Sequence, residues 1–278
     1  NTAALEKAIE NSIAKGQKPF FVAATAGTTL LGAFDSIQAI AAIGRRYNLW
    51  VHVDGAYGGP VILSPKYRHL VRGIETADSF AMDPHKLMNI PLICSVLLVR
   101  EKGRLRSNLT DLNTEYLYHE NDHLNYDLGK ISIQCGRRVD VLKLWLAWRF
   151  FGDTGYAKRT EKLIALARHA RQRVQTHSRL ELLAEPQSFA VCFRYRNRTP
   201  INPNDFNLQL RESLRRSGQA LINYGYWNNN LALRFVAANP ETETDDVDRL
   251  FDYLLAHATR MEEETQDGTN NCRNRTPS

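Results

Sequence analysis

Three short stretches of the sequence end in side chains that can do chemistry. Thr25 and Asp54 close the apolar stretches PFFVAAT and LWVHVD, and the pair His85-Lys86 follows DSFAMDP. A lysine is seldom buried unless it is paired or chemically used, and its amine is a nucleophile toward carbonyl groups. An amine and a carboxylate in one cleft are a combination that covalent and acid–base catalysis can use.

The spacing of these positions is that of one βαβ unit. Thr25, Asp54 and Lys86 are roughly thirty residues apart, and strand-like stretches alternate with helical ones from about Pro19 to about Arg100. This pattern predicts a mainly parallel sheet, whose strands end at one common edge. Because ligands of open α/β sheets bind beyond the carboxyl ends of the strands, we expect the three residues to share one cleft.

Pyridoxal phosphate is a cofactor that suits this set of groups. A lysine amine forms a Schiff base with its aldehyde, and a carboxylate pairs with its pyridinium nitrogen so that the ring stays an electron sink. The small Ala56, among the glycines of GAYGG, would let a flat ring lie close. Each residue alone has an ordinary alternative, since Lys86 could be a surface residue and Asp54 a turn former.

Composition excludes several other classes. The formal charge of +6 comes from dispersed arginines without the aromatic interleaving of a nucleic-acid module. No run approaches the roughly 20 consecutive apolar residues of a membrane helix, and no signal-peptide core is seen, so a cytoplasmic location is expected. The four cysteines show no CxxC or metal-ligand spacing, and we predict reduced thiols and no metal site.

The length and pattern suggest two domains and a tail. Residues 1–152 are predicted as the sheet-containing part, 153–264 as a small α+β domain and 265–278 as a polar tail. Asp35 is expected to cap the helix that follows it. The polar stretch from about Glu101 to Lys130 has the length and composition of a lid or another functional loop.

Five motifs carry a resemblance to a known family. They are ATAGTT (24–29), HVDGAYGG (52–59), ADSFAMDPHK (77–86), QCGRRVD (134–140) and LRFVAANP (233–240). In this order the chain resembles the pyridoxal-phosphate-dependent group II amino-acid decarboxylases, nearest the glutamate and cysteine-sulfinate decarboxylase branch. The resemblance implies an α/β fold. The chain would contain part of a PLP-dependent transferase-like (aspartate aminotransferase, fold type I) large domain with a mainly parallel sheet, and a small α+β C-terminal domain.

The resemblance also implies roles for the residues after the strands. Lys86 would form the Schiff base, and His85 would contact the cofactor phosphate or the substrate. Asp54 would pair with the pyridine nitrogen and Ala56 would pack on the ring face. Thr25 would hydrogen-bond near the cofactor's phenolic oxygen or the substrate carboxylate.

Two further roles fall outside this cluster. Arg234 would bind a substrate carboxylate from the small domain, with a structural ion pair on a strand as the alternative. Tyr116, in TEYLY, would lie on a mobile loop contributed across a dimer interface and would protonate the substrate carbon after carbon dioxide leaves. Tyr118 and Tyr126 are nearby competitors for that role.

The chain departs from the family pattern in two respects. Asp83 stands where the family usually has an asparagine that contacts the cofactor phosphate, and a carboxylate there would repel a phosphate unless it is protonated, turned away or offset by cations. Family members also begin well before this chain does, with segments that cradle the phosphate and stack on the ring. We therefore expect the chain to act with an N-terminal half on a separate or cleaved chain, as a homodimer of such pairs.

The resulting functional hypothesis is α-decarboxylation of an L-amino acid, with an acidic substrate such as glutamate, aspartate or cysteine sulfinate. Two alternatives stay open. One keeps the cofactor but changes the substrate to 2,4-diaminobutyrate or an aromatic or aliphatic amino acid, or couples decarboxylation to oxidative deamination. The other is a non-catalytic half that only binds or regulates a complete decarboxylase.

Overall fold

The computed structural model describes residues 1–109, 132, 134 and 137–273, with backbone only for 109 and 268–273. Tyr116 and its competitors Tyr118 and Tyr126 lie outside the described residues. The chain divides into two compact units. The first consists of residues 1–26 and 35–156, and the second of residues 27–34 and 157–278.

A four-stranded sheet forms the centre of the first unit. Its strands are β1 (Phe21–Thr25), β2 (Trp50–Asp54), β3 (Ser79–Met82) and β4 (Val96–Val99). Their order is β1-β2-β3-β4, with the first three parallel and β4 antiparallel to β3. The predicted mainly parallel sheet is therefore confirmed.

One face of this sheet is covered by a helix and forms the core of the unit. Strand residues alternate between the two faces, and Ala24 and Val53 on the covered face are fully buried. The helix α2 (Ile37–Arg46) packs its apolar side against them. Gly44 of α2 allows close approach, since a Cβ there would lie 2.2 Å from Cγ2 of Val51.

The start of α2 corrects one expectation from the sequence. Asp35 does not cap the helix; the N-cap position is Ser36, which makes no capping side-chain hydrogen bond. The Asp35 carboxylate instead accepts a hydrogen bond from the backbone N–H of Thr25 at 2.8 Å. The expectation was wrong because a residue between a strand end and a helix start can serve either element, and tertiary structure decides which.

Three other helices belong wholly or partly to the first unit. They are α1 (Thr2–Ala14), the short α3 (Arg104–Leu109) and the N-terminal part of α4 (Asp140–Thr176). The helix α4 is interrupted at Gly152, whose φ of 62° lies in the left-handed region that favours glycine. Across the described ranges, no helix has both the length and the apolar character that crossing a membrane requires.

The second unit is a small α+β structure. Its strands are β5 (Leu180–Leu182), β6 (Ala190–Tyr195), β7 (Asn223–Trp227) and β8 (Asn230–Val236), in the antiparallel order β5-β6-β8-β7. Its helices include α5 (Pro203–Ser217) and α6 (Thr244–Arg273). Phe193 of β6 and Phe251 of α6 are fully buried, with ring centroids 5.2 Å apart. The helix α6 continues past Glu263, where the apolar pattern of the sequence ends.

Candidate active site

The ends of the parallel strands bring two of the selected side chains to neighbouring positions. Thr25 of β1 and Asp54 of β2 are partners in the register of the two strands, and Asp54 in turn pairs with Ala81 of β3. Because side chains alternate along a strand, Thr25, Asp54 and Ala81 lie on the same face of the sheet. This is the face opposite to α2.

Thr25 is held in place by an aspartate that the sequence pattern assigned to another task. The carboxylate of Asp35 accepts from the Thr25 N–H at 2.8 Å, and the N–H of Asp35 donates to the Thr25 carbonyl oxygen at 2.9 Å. The strand end is thus fixed by a pair of reciprocal bonds. The residue spacing alone gives no signal for them, since the chain makes a loop between the two residues.

A glycine turn (residues 55–59) follows Asp54 and crosses the strand ends. The N–H of Gly55 donates to the carbonyl oxygen of Ala81 at 2.9 Å. A Cβ on Gly55 would lie 2.4 Å from Cε2 of Phe80, so only glycine fits there without a shift of the core. The Asp54 carboxylate accepts from the N–H of Ala56 at 3.0 Å, which fixes the direction of the turn.

The glycine turn touches the loop that carries the lysine, called here the lysine loop (residues 83–95). The N–H of Asp83 donates to the carbonyl oxygen of Ala56 at 3.3 Å, and the N–H of Lys86 donates to that of Asp83 at 2.9 Å. The motifs HVDGAYGG and DPHK are therefore neighbours in space. Asp54 ends β2, and Ala56 and Lys86 lie in two adjoining loops at the same edge of the sheet.

Asp83 is fully engaged within the lysine loop. One carboxylate oxygen lies 2.9 Å from the Lys86 amine, and the other accepts a hydrogen bond from the Ser95 hydroxyl at 2.6 Å. Burial opposes the charge on Asp83. The hydrogen bond from Ser95 and the ammonium of Lys86 outweigh it and hold the pKa of Asp83 below its usual value. Of the ways of tolerating this carboxylate, an offsetting cation is the one observed.

His85 closes the lysine loop from the other side. Its Nδ1 lies 2.7 Å from the carbonyl oxygen of Cys94 and 3.1 Å from the N–H of the same residue. One ring nitrogen cannot donate and accept at once, and the shorter distance favours the tautomer in which Nδ1–H donates to the carbonyl oxygen. Nε2 then faces Asp83, at 3.8 Å from its carboxylate.

Lys143, at the start of α4, anchors the far end of the lysine loop. Its ammonium donates to the carbonyl oxygens of Pro91 and Ile93 at 2.9 and 3.0 Å, and it pairs with Asp140 at 2.7 Å. Two carbonyl groups of an exposed loop are thereby satisfied by one cation. Sequence reasoning missed this residue, because a lysine in an amphipathic helix looks like any solvated side chain.

Arg234 belongs to β8 in the second unit. It is half-buried, and its Nε donates to the carbonyl oxygen of Leu30 at 3.0 Å. The thiol of Cys192, its neighbour across the sheet, contacts the same carbonyl at 3.3 Å. Arg234 therefore has at least one structural contact, made to a backbone carbonyl through one of its five N–H donors.

The groups at the sheet edge fit pyridoxal phosphate. The cofactor requires a primary amine for its aldehyde and a carboxylate for its ring nitrogen. Lys86 supplies an amine whose side chain is 41% exposed, and Asp54 an exposed carboxylate. Thr25 and Ala56 add a hydroxyl and a methyl group on the same edge.

Comparison with known proteins agrees with this assignment. Residues 1–196 match the family described as pyridoxal-dependent decarboxylase conserved domain. The cysteine sulfinic acid decarboxylase of Rattus norvegicus is 37% identical over 274 residues, which cover 92% of this chain and 54% of that protein. The chain belongs to the pyridoxal-dependent decarboxylase family, and pyridoxal phosphate is the cofactor of that family.

Solved structures share the fold. The crystal structure of mouse CSAD in apo form matches with a TM-score of 0.86 at 36% identity, over 93% of this chain and 56% of that one. Oryza sativa TDC, solved with pyridoxal phosphate and tryptamine, matches with a TM-score of 0.86 at 30% identity, over 94% and 55%. The predicted fold type I class is confirmed. The chain spans about half the length of these relatives.

Proposed function

We propose that this chain contributes the lysine, the carboxylate and the substrate-binding arginine of a pyridoxal-phosphate-dependent decarboxylase that acts on an acidic L-amino acid. The observation that supports this most strongly is the contact between the glycine turn and the lysine loop, from the N–H of Asp83 to the carbonyl of Ala56. It joins the two motifs whose residues the cofactor needs. Neither motif would be useful to this chemistry without the other.

When bound, pyridoxal phosphate supplies an aldehyde that condenses with amines and a ring that accepts electrons. In our proposal, Lys86 holds the cofactor through its amine. Asp54 pairs with the ring nitrogen and keeps it protonated. Ala56 leaves room for a flat ring, and Thr25 offers a hydroxyl to the cofactor or the substrate carboxylate.

The remaining steps concern the substrate. Arg234 binds a carboxylate of the substrate, for which a guanidinium offers a bidentate fork. His85 keeps the lysine loop closed through Nδ1, and with both ring nitrogens protonated its Nε2–H could also donate to a phosphate or substrate oxygen. Tyr116, on the segment outside the described residues, returns a proton to the α-carbon after carbon dioxide leaves.

An acidic substrate is the first choice because of the relatives. The Rattus norvegicus protein is named for cysteine sulfinic acid, which carries a second acidic group. The solved Oryza sativa structure contains tryptamine, so an aromatic substrate is the principal competitor. A screen of carbon dioxide release with cysteine sulfinate, glutamate, aspartate, tryptophan and 2,4-diaminobutyrate separates these possibilities. Turnover of tryptophan without turnover of the acidic substrates would remove the acidic assignment.

We further propose that an N-terminal half covers the face of the sheet that bears Thr25 and Asp54. Sheets of parallel strands are normally covered on both faces. Within the part of the chain that the structure describes, Phe21 is 48% and Leu97 51% exposed on this face. A strip of α4, called here the apolar stripe, is exposed as well; its residues are Val141, Leu142, Trp145, Leu146 and Phe150. Apolar surface of this kind is typical of an interface.

Complementation tests both proposals. The chain is mixed with candidate N-terminal halves, and complex formation is followed by size-exclusion chromatography and decarboxylation by carbon dioxide release. Trp145→Glu is expected to weaken the complex about tenfold or more, because a large aromatic residue at an interface core is a typical anchor. Tyr253→Glu, on an exposed part of α6, is the matched control. Turnover by the 278-residue chain alone would contradict the need for a partner.

Two rivals are separated by product and cofactor analysis. A decarboxylase should form only the amine product with Tyr116 intact and some carbonyl product after Tyr116→Phe. An oxidative deaminase would form carbonyl products with Tyr116 intact. A non-catalytic half would bind its partner but leave Lys86 unlabelled after borohydride reduction in the presence of the cofactor.

A cytoplasmic location stays a prediction, for which cell fractionation is the test.

A further inference from the structure

The two oxygens of the Asp83 carboxylate have different partners. Oδ2 lies 2.9 Å from Nζ of Lys86, and Oδ1 accepts from the Ser95 hydroxyl at 2.6 Å. The Asp83 side chain is only 18% exposed, whereas that of Lys86 is 41% exposed. The carboxylate is thus the more buried member of the pair and the amine the more exposed one.

The backbone keeps this pair together within one turn. The N–H of Lys86 donates to the carbonyl oxygen of Asp83 at 2.9 Å, which places the two residues in a single turn. The N–H of Asp83 is tied to the carbonyl of Ala56. Ser95, just before the start of β4, donates its hydroxyl to the carboxylate and so fixes its orientation. The ammonium of Lys86 therefore meets an oriented acceptor.

An aspartate and an asparagine act differently at this position. A carboxylate offers oxygen acceptors to both Ser95 and Lys86, whereas an amide offers one oxygen and one NH₂ group. An NH₂ group cannot accept from an ammonium, and it carries no charge to attract one. The ammonium of Lys86 is therefore stabilised by Asp83 in a way that the neutral isostere would not reproduce.

We propose that Asp83 is a positioning residue that holds the Lys86 side chain in an ion pair and so restrains condensation of this amine with an aldehyde. This inference rests on the proposed function of Lys86. Condensation forms one C=N bond and releases the carbonyl oxygen as water, and the nitrogen must first give a proton to the solvent because an ammonium has no lone pair for attack. The ion pair with Asp83 must break before that nitrogen can reach an aldehyde.

The groups that surround the pair set the pH range in which the effect is measured. His85 places Nε2 at 3.8 Å from the Asp83 carboxylate, and the buried thiol of Cys94 lies on the same loop. Burial raises the pKa of the Cys94 thiol, so it remains neutral near pH 8. Measurement near pH 8 therefore keeps this thiol out of the reaction.

The experiment uses two aldehydes on the 278-residue chain. Pyridoxal and pyridoxal 5′-phosphate are each incubated with the protein at about pH 8, trapped with borohydride at short times, and quantified at Lys86 by peptide mass spectrometry. Pyridoxal has no phosphate, so it separates an effect on the amine from repulsion of a phosphate by Asp83. Lys66, an exposed lysine in the same sample, is the internal control.

Asp83→Asn is expected to speed trapping at Lys86 about two- to fivefold with both aldehydes, which is the usual strength of a half-exposed ion pair. Asp83→Glu should restore the slow rate, and trapping at Lys66 should not change. None of these readouts depends on decarboxylation, so they stand apart from a failure of the proposed activity.

Three results would overturn the inference. Acceleration with the phosphorylated aldehyde only would assign Asp83 to phosphate repulsion. An unchanged rate would show that the ion pair has no influence, and a slower rate would make Asp83 a base that assists the amine. If Asp83→Asn does not fold, the ion pair is weakened in the wild-type chain by raising the salt concentration. Between about 0.1 M and about 1 M salt the screening length falls from about 10 Å to about 3 Å, and trapping at Lys86 should rise relative to Lys66. A constant ratio would contradict the proposal.

Discussion

The carbonyl oxygen of Cys94 lies 2.7 Å from Nδ1 of His85, so the loop that carries Lys86 is closed by its own two ends. A loop closed in this way presents its lysine from a fixed base even though the amine itself is half-exposed. The histidine next to the lysine thus has a structural task, whatever it contacts in the complete protein.

Replacement of His85 should open this loop. His85→Ala removes the ring donor and is expected to lower the free energy of local opening by about 1 kcal/mol, or about fivefold in the open population. The measurement is the rate of alkylation of the buried Cys94 thiol by peptide mass spectrometry. His85→Asn is the matched control, because its amide N–H can take the place of Nδ1–H. Equal rates for both variants would contradict the role of the ring.

Gly55 should tolerate no side chain while Phe80 stays in place. A Cβ at Gly55 would lie 2.4 Å from Cε2 of Phe80, so Gly55→Ala is expected to cost about 1–3 kcal/mol of unfolding free energy. Phe80→Leu removes the ring, and the double variant should lose less than the sum of the two single losses. Urea unfolding of all four proteins gives the comparison. Strict additivity would show that the predicted clash is absorbed elsewhere.

The pH dependence of stability should report the charge on Asp83. Its pKa is lower in the folded protein than the usual 3.8, so the folded state favours the carboxylate. The stabilisation is present at neutral pH and is lost as the pH falls through the usual value toward the folded one. Wild type should therefore exceed Asp83→Asn by about 1 kcal/mol at neutral pH. Urea unfolding should find that difference vanishing in acid; a difference that persists at low pH would assign it to packing.

Arg234 should distinguish acidic from neutral substrates in the complemented protein. Arg234→Met removes the guanidinium and is expected to raise KM for cysteine sulfinate about tenfold or more, since a charged partner is lost. For an amino acid with an uncharged side chain that is turned over, KM should change about twofold or less, because this substrate lacks the side-chain acid that Arg234 would bind. Steady-state kinetics with both substrates is the measurement. An equal loss for both would indicate that Arg234 binds the α-carboxylate that both substrates share, or serves only to hold Leu30.

The sheet of the first unit was predictable because its signals are local. Alternation in PFFVAAT and LWVHVD reflects one face packed on α2, and the strand ends follow directly from it. The antiparallel β4 and the three short 3-10 helices at Gly59–Leu63, Arg68–Val71 and Ile74–Thr76 were not specified by such periodicity. Their geometry depends on contacts between distant segments.

The candidate site divides in the same way. Asp54 and Lys86 were selected from residue type and spacing. An offsetting cation was one of three possibilities considered for Asp83, but its hydrogen bond from Ser95 was not foreseen. Ser95 and Lys143 each act through atoms that approach only after the loop has closed. No periodic pattern marks such residues, and the ordinary expectation for each is a solvated side chain. The assigned chemical roles remain predictions until they are measured.

The most direct test is to find where the cofactor is bound. The complemented protein is loaded with pyridoxal phosphate, reduced with borohydride and digested, and the modified peptide is identified by mass spectrometry. Our account predicts one labelled lysine, Lys86, with the label lost in Lys86→Arg. A label on another lysine, with Lys86 unmodified, would contradict it.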